Sequence, residues 1–68
     1  MKISARNILK GKVVEVTKGA TTAHVKIDIG GSTVVASITN AAVDDLKLEV
    51  GKQAYAVVKA SDVMVAID

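Results

Sequence analysis

The segment Ala23-His24-Val25-Lys26-Ile27-Asp28-Ile29 alternates strictly between apolar and polar side chains. Its apolar residues share one face and its polar residues the other, which is typical of a β-strand with one buried and one wet face. Gly30-Gly31-Ser32 follows and predicts a hairpin turn. Thr33 to Thr39 then continues as a strand, with Val34, Ala36 and Ile38 on one face. Residues 23 to 39 therefore predict a β-hairpin with a single apolar face.

Further strands are predicted on both sides of this hairpin. Of the 68 residues, 23 are Val, Ile or Thr, which favour pleated, half-buried surfaces. Strands are expected at Asn7 to Val16, Ala54 to Lys59 and Val63 to Ile67, and Gly11 suggests a bulge or sharp bend in the first. The stretch Asn40 to Leu46 changes to helical spacing. The prediction is a single domain spanning residues 1–68, an all-β, five-stranded OB-fold-like barrel with one short helix between strands 3 and 4.

Composition excludes several classes of function. The chain has no Cys, so a disulfide framework and a thiolate metal site are absent. A single histidine, His24, argues against a His-based metal site or a Ser-His relay, and Asp44 and Asp45 diverge because adjacent helical positions point about 100° apart. We therefore expect no enzyme and no protein ligand to a metal. Tyr55 is the only aromatic residue and the net charge is only +2, which argues against nucleic-acid binding.

Size predicts self-association. A chain of 68 residues buries only about 60% of its unfolded surface, and small domains gain stability from disulfides, metals or partner subunits. Half the residues are hydrophobic, so a homo-oligomer is expected, the alternative being a tightly packed monomeric barrel. No apolar run is long enough to cross a bilayer, and residues 1–7 lack the apolar core of a secretory signal, so the expected location is the cytoplasm, with no membrane partner.

Hydrogen-bond donors cluster at three strand ends. Ser4 and Arg6 precede the first strand, Lys59 and Ser61 lie at the exit of the fourth, and Thr39 stands where a strand becomes a helix. Guanidinium, ammonium, hydroxyl and helix N-terminal N–H groups all suit oxyanions. Each feature also has a structural explanation, since Thr39 could simply cap the helix and Lys59 could be a solvated strand end.

The chain resembles the molbindins, or Mop proteins, a family of small molybdate-binding proteins. The resemblance is carried by Ser4-Ala5-Arg6-Asn7, Leu9-Lys10-Gly11-Lys12-Val13, Ser37-Ile38-Thr39 and Lys59-Ala60-Ser61-Asp62-Val63-Met64, and it covers the whole chain. It implies an OB-like barrel in a homo-oligomer, typically a hexamer built as a trimer of dimers. It also implies oxyanion sites between subunits, with molybdate or tungstate as the ligand and no organic cofactor.

Carried over by position, the resemblance assigns the oxyanion to Ser4, Arg6, Thr39, Lys59, Ala60 (through its N–H) and Ser61. The implied function is storage or homeostasis without catalysis. A second class of site is also implied, with Lys18 to Thr22 as the suggested contributor. The donor set agrees, because molybdate is a fully deprotonated tetrahedral dianion and a matching site needs donors only. Two alternatives stay open: an OB module that binds nucleic acid, and an assembly module without a ligand.

Overall fold

A computed structural model describes all 68 residues. It contains four strands, one short α-helix and a terminal 3₁₀ turn. The sheet is antiparallel throughout, with strand order β3-β2-β1-β4. The elements are β1 (Asn7–Lys18), β2 (Thr22–Asp28), β3 (Thr33–Thr39), α1 (Asn40–Asp45), β4 (Gln53–Val58) and η1 (Ala60–Asp62).

The β2–β3 hairpin is confirmed, and with it the apolar face predicted for it. Along β2 every second residue is buried, and these residues are Ala23, Val25 and Ile27. The turn is closed by the Ile29 N–H, which donates to the Ser32 carbonyl at 2.9 Å. Gly30 and Gly31 adopt φ values of 95° and 91°, a left-handed conformation that costs other residues a steric penalty.

Strand β1 is the longest strand and lies between β2 and β4. It pairs with β2 along one part of its length and with β4 along another. The predicted bulge lies at Val14 rather than at Gly11. Val13 pairs with Ile27 and Glu15 with Lys26, so Val14 is the extra residue, and such a bulge bends a strand. The sheet thereby curls into a half-barrel around its apolar face.

Gly11 instead permits a close approach between β1 and β2. A Cβ built at this position would lie 2.3 Å from the Asp28 carbonyl oxygen and 2.8 Å from Ile27 Cγ2. Both distances are below any real van der Waals contact, and the first involves backbone, which cannot rotate away.

We expect Gly11→Ala to destabilise the fold by about 1–3 kcal/mol, the usual cost of overpacking. The measurement is urea unfolding at fixed protein concentration, with the midpoint lowered and the slope unchanged. Lys10→Ala, an exposed neighbour on the same strand, is the matched control and should shift stability by less than about 0.5 kcal/mol. An unchanged midpoint for Gly11→Ala contradicts the close approach.

The core is small and is made of short side chains. Only six residues are buried, and they form one cluster: Val13, Ala23, Val25, Ile27, Val43 and Ala56. The helix joins it through Val43 and begins as predicted, because the Thr39 hydroxyl oxygen accepts the Ala42 N–H at 3.0 Å. So thin a core agrees with the expectation that the chain gains stability from self-association.

The prediction of a fifth strand was wrong. Val63 to Ile67 has no regular structure, and the sheet has four strands. Exposed fractions reach 93% at Met64, 90% at Val65 and 93% at Ile67. Apolar, β-branched sequence favours a strand, but a strand exists only when its backbone groups have a pairing partner, and no strand of the same chain supplies one here. No helix of the chain has the length and apolar character needed to span a bilayer.

Candidate functional site

Two of the predicted donor clusters meet at one end of the β1–β4 ladder. Asn7 pairs with Val58, so Arg6 and Lys59 follow immediately beyond the same end of the two strands. Both side chains are exposed, and neither takes part in an ion pair. Two cationic residues therefore follow the same end of the ladder, and neither has an acidic partner.

The 3₁₀ turn adds backbone donors to this end of the sheet. Inside the turn, the Asp62 N–H donates to the Lys59 carbonyl at 2.9 Å and the Val63 N–H to the Ala60 carbonyl at 3.3 Å. The N–H groups of Ala60 and Ser61 have no backbone acceptor, as is usual at the start of a helical turn. Asp62, the one carboxylate within η1, is exposed at its last position.

The two serine hydroxyls that accompany Arg6 and Lys59 lie near this same end of the sheet. Ser4 lies two residues before Arg6, and Ser61 two residues after Lys59, and both are exposed. Five of the six predicted residues thus lie within three positions of the Asn7–Val58 pair that ends the β1–β4 ladder: Ser4, Arg6, Lys59, Ala60 and Ser61.

Thr39 does not join them within the chain. It ends β3 opposite Thr22, and the neighbouring pair Lys18 and Ala23 marks the far end of β1. The contour of β1 from Asn7 to Lys18 is about 36 Å, at about 3.3 Å per residue. The Thr39 oxygen accepts from the helix, which leaves its hydroxyl proton free to donate to a ligand.

The turn suggested for a second site is tied to the helix. Lys18 Nζ donates to Asp44 Oδ1 at 2.6 Å, and Asn40 Nδ2 donates to the Gly19 carbonyl at 3.0 Å. The ammonium of Lys18 is therefore already paired. The sequence did not predict the contact of Asn40 with Gly19, because residues 21 positions apart leave no local pattern, and the buried Asn40 Oδ1 has no partner.

The chemistry available at this end of the sheet is hydrogen-bond donation. The β1–β4 end offers a guanidinium, an ammonium, two hydroxyls and two N–H groups, each of which can donate a hydrogen bond, and Asp62 is the one carboxylate of the adjoining turn. No group of three or more His, Asp or Glu side chains comes together as a metal site would require. An arrangement of this kind matches an anion that carries no proton to donate in return.

A small curled antiparallel sheet with donors at its strand ends defines a ligand-binding module of the OB-like class. The chain belongs to the TOBE domain family, which matches residues 3–65. It is 58% identical to a probable molybdenum-pterin-binding protein of Haemophilus influenzae over the full length of both chains. The resemblance to the Mop proteins seen in the sequence is confirmed.

Solved structures agree with this assignment. A molybdate-binding protein from Sporomusa ovata superposes with a TM-score of 0.94 at 42% identity, covering 98% of this chain and 100% of its own. The cytoplasmic molybdate-binding protein ModG superposes with a TM-score of 0.89 at 40% identity. The match covers 94% of this chain and 46% of ModG, so the chain spans about half of that protein. An OB-like fold is thus confirmed, with four strands in this chain.

Proposed function

We propose that this protein binds molybdate, and tungstate in the same way, for storage or homeostasis, without catalysing a reaction and without an organic cofactor. The observation that carries the proposal is the junction of Arg6 and Lys59 beyond the β1–β4 ladder. Its relatives support the choice of ligand, since they include proteins described as binding molybdate. ModG is described as cytoplasmic, which supports the same location for this chain.

Donor chemistry favours molybdate over phosphate. Phosphate near neutral pH often keeps a proton, and a site for it gains from a carboxylate that accepts this proton. The proposed ligands are Ser4, Arg6, Thr39, Lys59, the Ala60 N–H and Ser61, and none of them is acidic. Charge-assisted hydrogen bonds from Arg and Lys are roughly twice as strong as neutral ones, so these two residues carry most of the affinity.

The position of Thr39 supports sites between subunits. Within one chain Thr39 lies at the opposite end of β1 from Arg6 and Lys59, yet the proposed site needs all three. A neighbouring copy supplies Thr39 most simply, with each subunit giving one set of donors to each of two sites. Closed symmetry of this kind makes every site complete only in the assembly.

Exposed apolar surface supports the homo-oligomer. The concave side of the sheet forms an open groove of about 600 Å³ lined mainly by hydrophobic residues, among them Val34, Ile38 and Leu48. The segment Val63 to Ile67 is also apolar and exposed. Monomeric proteins rarely leave such surfaces in water, and self-association removes both. We propose a hexamer arranged as a trimer of dimers.

Native mass spectrometry with and without molybdate tests the number of subunits and of bound anions together. We expect six chains and several molybdate ions per assembly, retained at micromolar ligand. Lysozyme in the same buffer serves as a control for nonspecific anion adducts. A monomer contradicts the assembly, and a hexamer that retains no molybdate favours an assembly module without a ligand.

A further inference from the structure

The polar face of the sheet carries a patch of hydroxyl groups around the single histidine. His24 on β2 is paired with Thr17 on β1 and with Ser37 on β3. Paired residues point to the same face, so the three side chains form one row across the sheet. Two residues further along each strand, Thr22 is paired with Thr39 on that same face.

Register therefore places His24 beside Thr39. Residues directly opposite in antiparallel strands have Cβ atoms about 4.5–5.5 Å apart, and diagonal neighbours about 7–8 Å, within reach of a long or aromatic side chain. His24 and Thr39 are such diagonal neighbours. The imidazole makes no hydrogen bond or ion pair within the chain, so its two nitrogens are free.

Few charges compete for this imidazole. On β2, Lys26 faces the same side as His24. Its partner on β1 is Glu15, and the two form an ion pair with a Nζ–Oε2 distance of 2.9 Å. On β3 the neighbours are Ser37, Val35 and Thr39, none of which titrates. The Lys18–Asp44 ion pair, with a Nζ–Oδ1 distance of 2.6 Å, belongs to the other face of the sheet, since Lys18 is paired with the buried residue Ala23.

We propose that His24 is a further oxyanion-binding residue, acting beside Thr39 and strengthening binding when the imidazole is protonated. The inference rests on the proposed function, because it takes Thr39 as part of the molybdate site. Histidine is the side chain that ordinarily changes charge between pH 5 and 8. Molybdate at micromolar concentration remains a dianion between pH 6 and 8, so the change in attraction comes from the protein.

The direction of the pH dependence of molybdate binding follows from the charges of the imidazole and the anion. Lowering the pH adds a positive charge next to the dianion, so binding tightens as the pH falls. By linkage, bound molybdate in turn favours the protonated imidazole. For an exposed pair of charges the gain amounts to about two- to fivefold in affinity.

Isothermal titration calorimetry with molybdate at pH 6.0 and pH 8.0 measures this gain. We expect the wild-type protein to bind about two- to fivefold more tightly at pH 6.0, and His24→Gln to bind equally at both pH values. Lys26→Gln is the matched control on the same strand and face. It removes a charge that is constant over this range, so the pH dependence should survive.

A second readout needs no substitution. Because the chain has one histidine, the imidazole Cε1–H resonance is unambiguous in a proton NMR titration. We expect that resonance to shift at pH 6.0 when molybdate saturates the protein. Molybdate binding that is independent of pH, with an imidazole resonance that molybdate leaves unmoved, overturns this inference and leaves the proposed function standing. Absence of molybdate binding at either pH overturns both.

Discussion

Arg6→Ala should weaken molybdate binding by about tenfold to a hundredfold. A hydrogen bond to a charged group contributes about 1.5–3 kcal/mol, and the guanidinium is one of the two cationic groups among the proposed ligands. The loss should be visible by calorimetry at pH 7.5. Arg6 lies outside the strands and is exposed, so the fold and its unfolding midpoint should change little.

Lys26→Ala is the control, because it removes one positive charge from the sheet surface where Glu15 already pairs with it. Its effect on the molybdate dissociation constant should stay within about twofold. Equal losses in the two variants would mean that molybdate responds only to net charge. Arg6→Lys separates geometry from charge, since an ammonium keeps the charge and loses the planar fork.

Replacing Val65 and Ile67 together by Asp should dissociate the homo-oligomer. These side chains are 90% and 93% exposed in the single chain, and full burial of each contributes about 1.5–3 kcal/mol. Losing both weakens association by about a hundredfold or more, and a carboxylate in an apolar interface adds a desolvation cost. Sedimentation velocity measures the assembly, and calorimetry measures the molybdate sites, which should be lost together.

Val50→Asp is the matched control, as Val50 is 66% exposed in the turn before β4. The same chemical change there should leave the sedimentation coefficient and the molybdate affinity close to wild type. An intact hexamer in the Val65→Asp, Ile67→Asp variant contradicts a role for the C-terminal segment. A dissociated variant that still binds molybdate contradicts sites between subunits.

Local sequence was informative wherever the structural cause is local. The alternation along Ala23 to Ile29 predicted the buried face of β2, because neighbouring side chains of a strand necessarily point to opposite sides. Thr39 was likewise recognised as a candidate helix cap, since its partner is the N–H of Ala42, three residues away. The bulge was misplaced at Gly11, because a close approach and a bulge both favour glycine in a strand.

For the candidate site too, the sequence indicated the residue types, and the strand pairing gave their positions. Arg6 and Lys59 were recognisable as donors from their residue types and from the resemblance to the molbindins, but they are 53 positions apart in the chain. Only the pairing of Asn7 with Val58 brings them to one place. The place of His24 beside Thr39 depends on register as well, since a slip of one residue would move it to the opposite face.

The sequence by itself determined four of the strands, the short helix, the apolar face and the donor chemistry. These depend on the conformational preferences of single residues and on contacts a few positions apart. The tertiary structure alone decided the number of strands, the close approach at Gly11 and the separation of Thr39 from Arg6. Those features arise from backbone pairing between distant segments, and whether Val63 to Ile67 becomes a strand depends on a partner that its own residues do not specify.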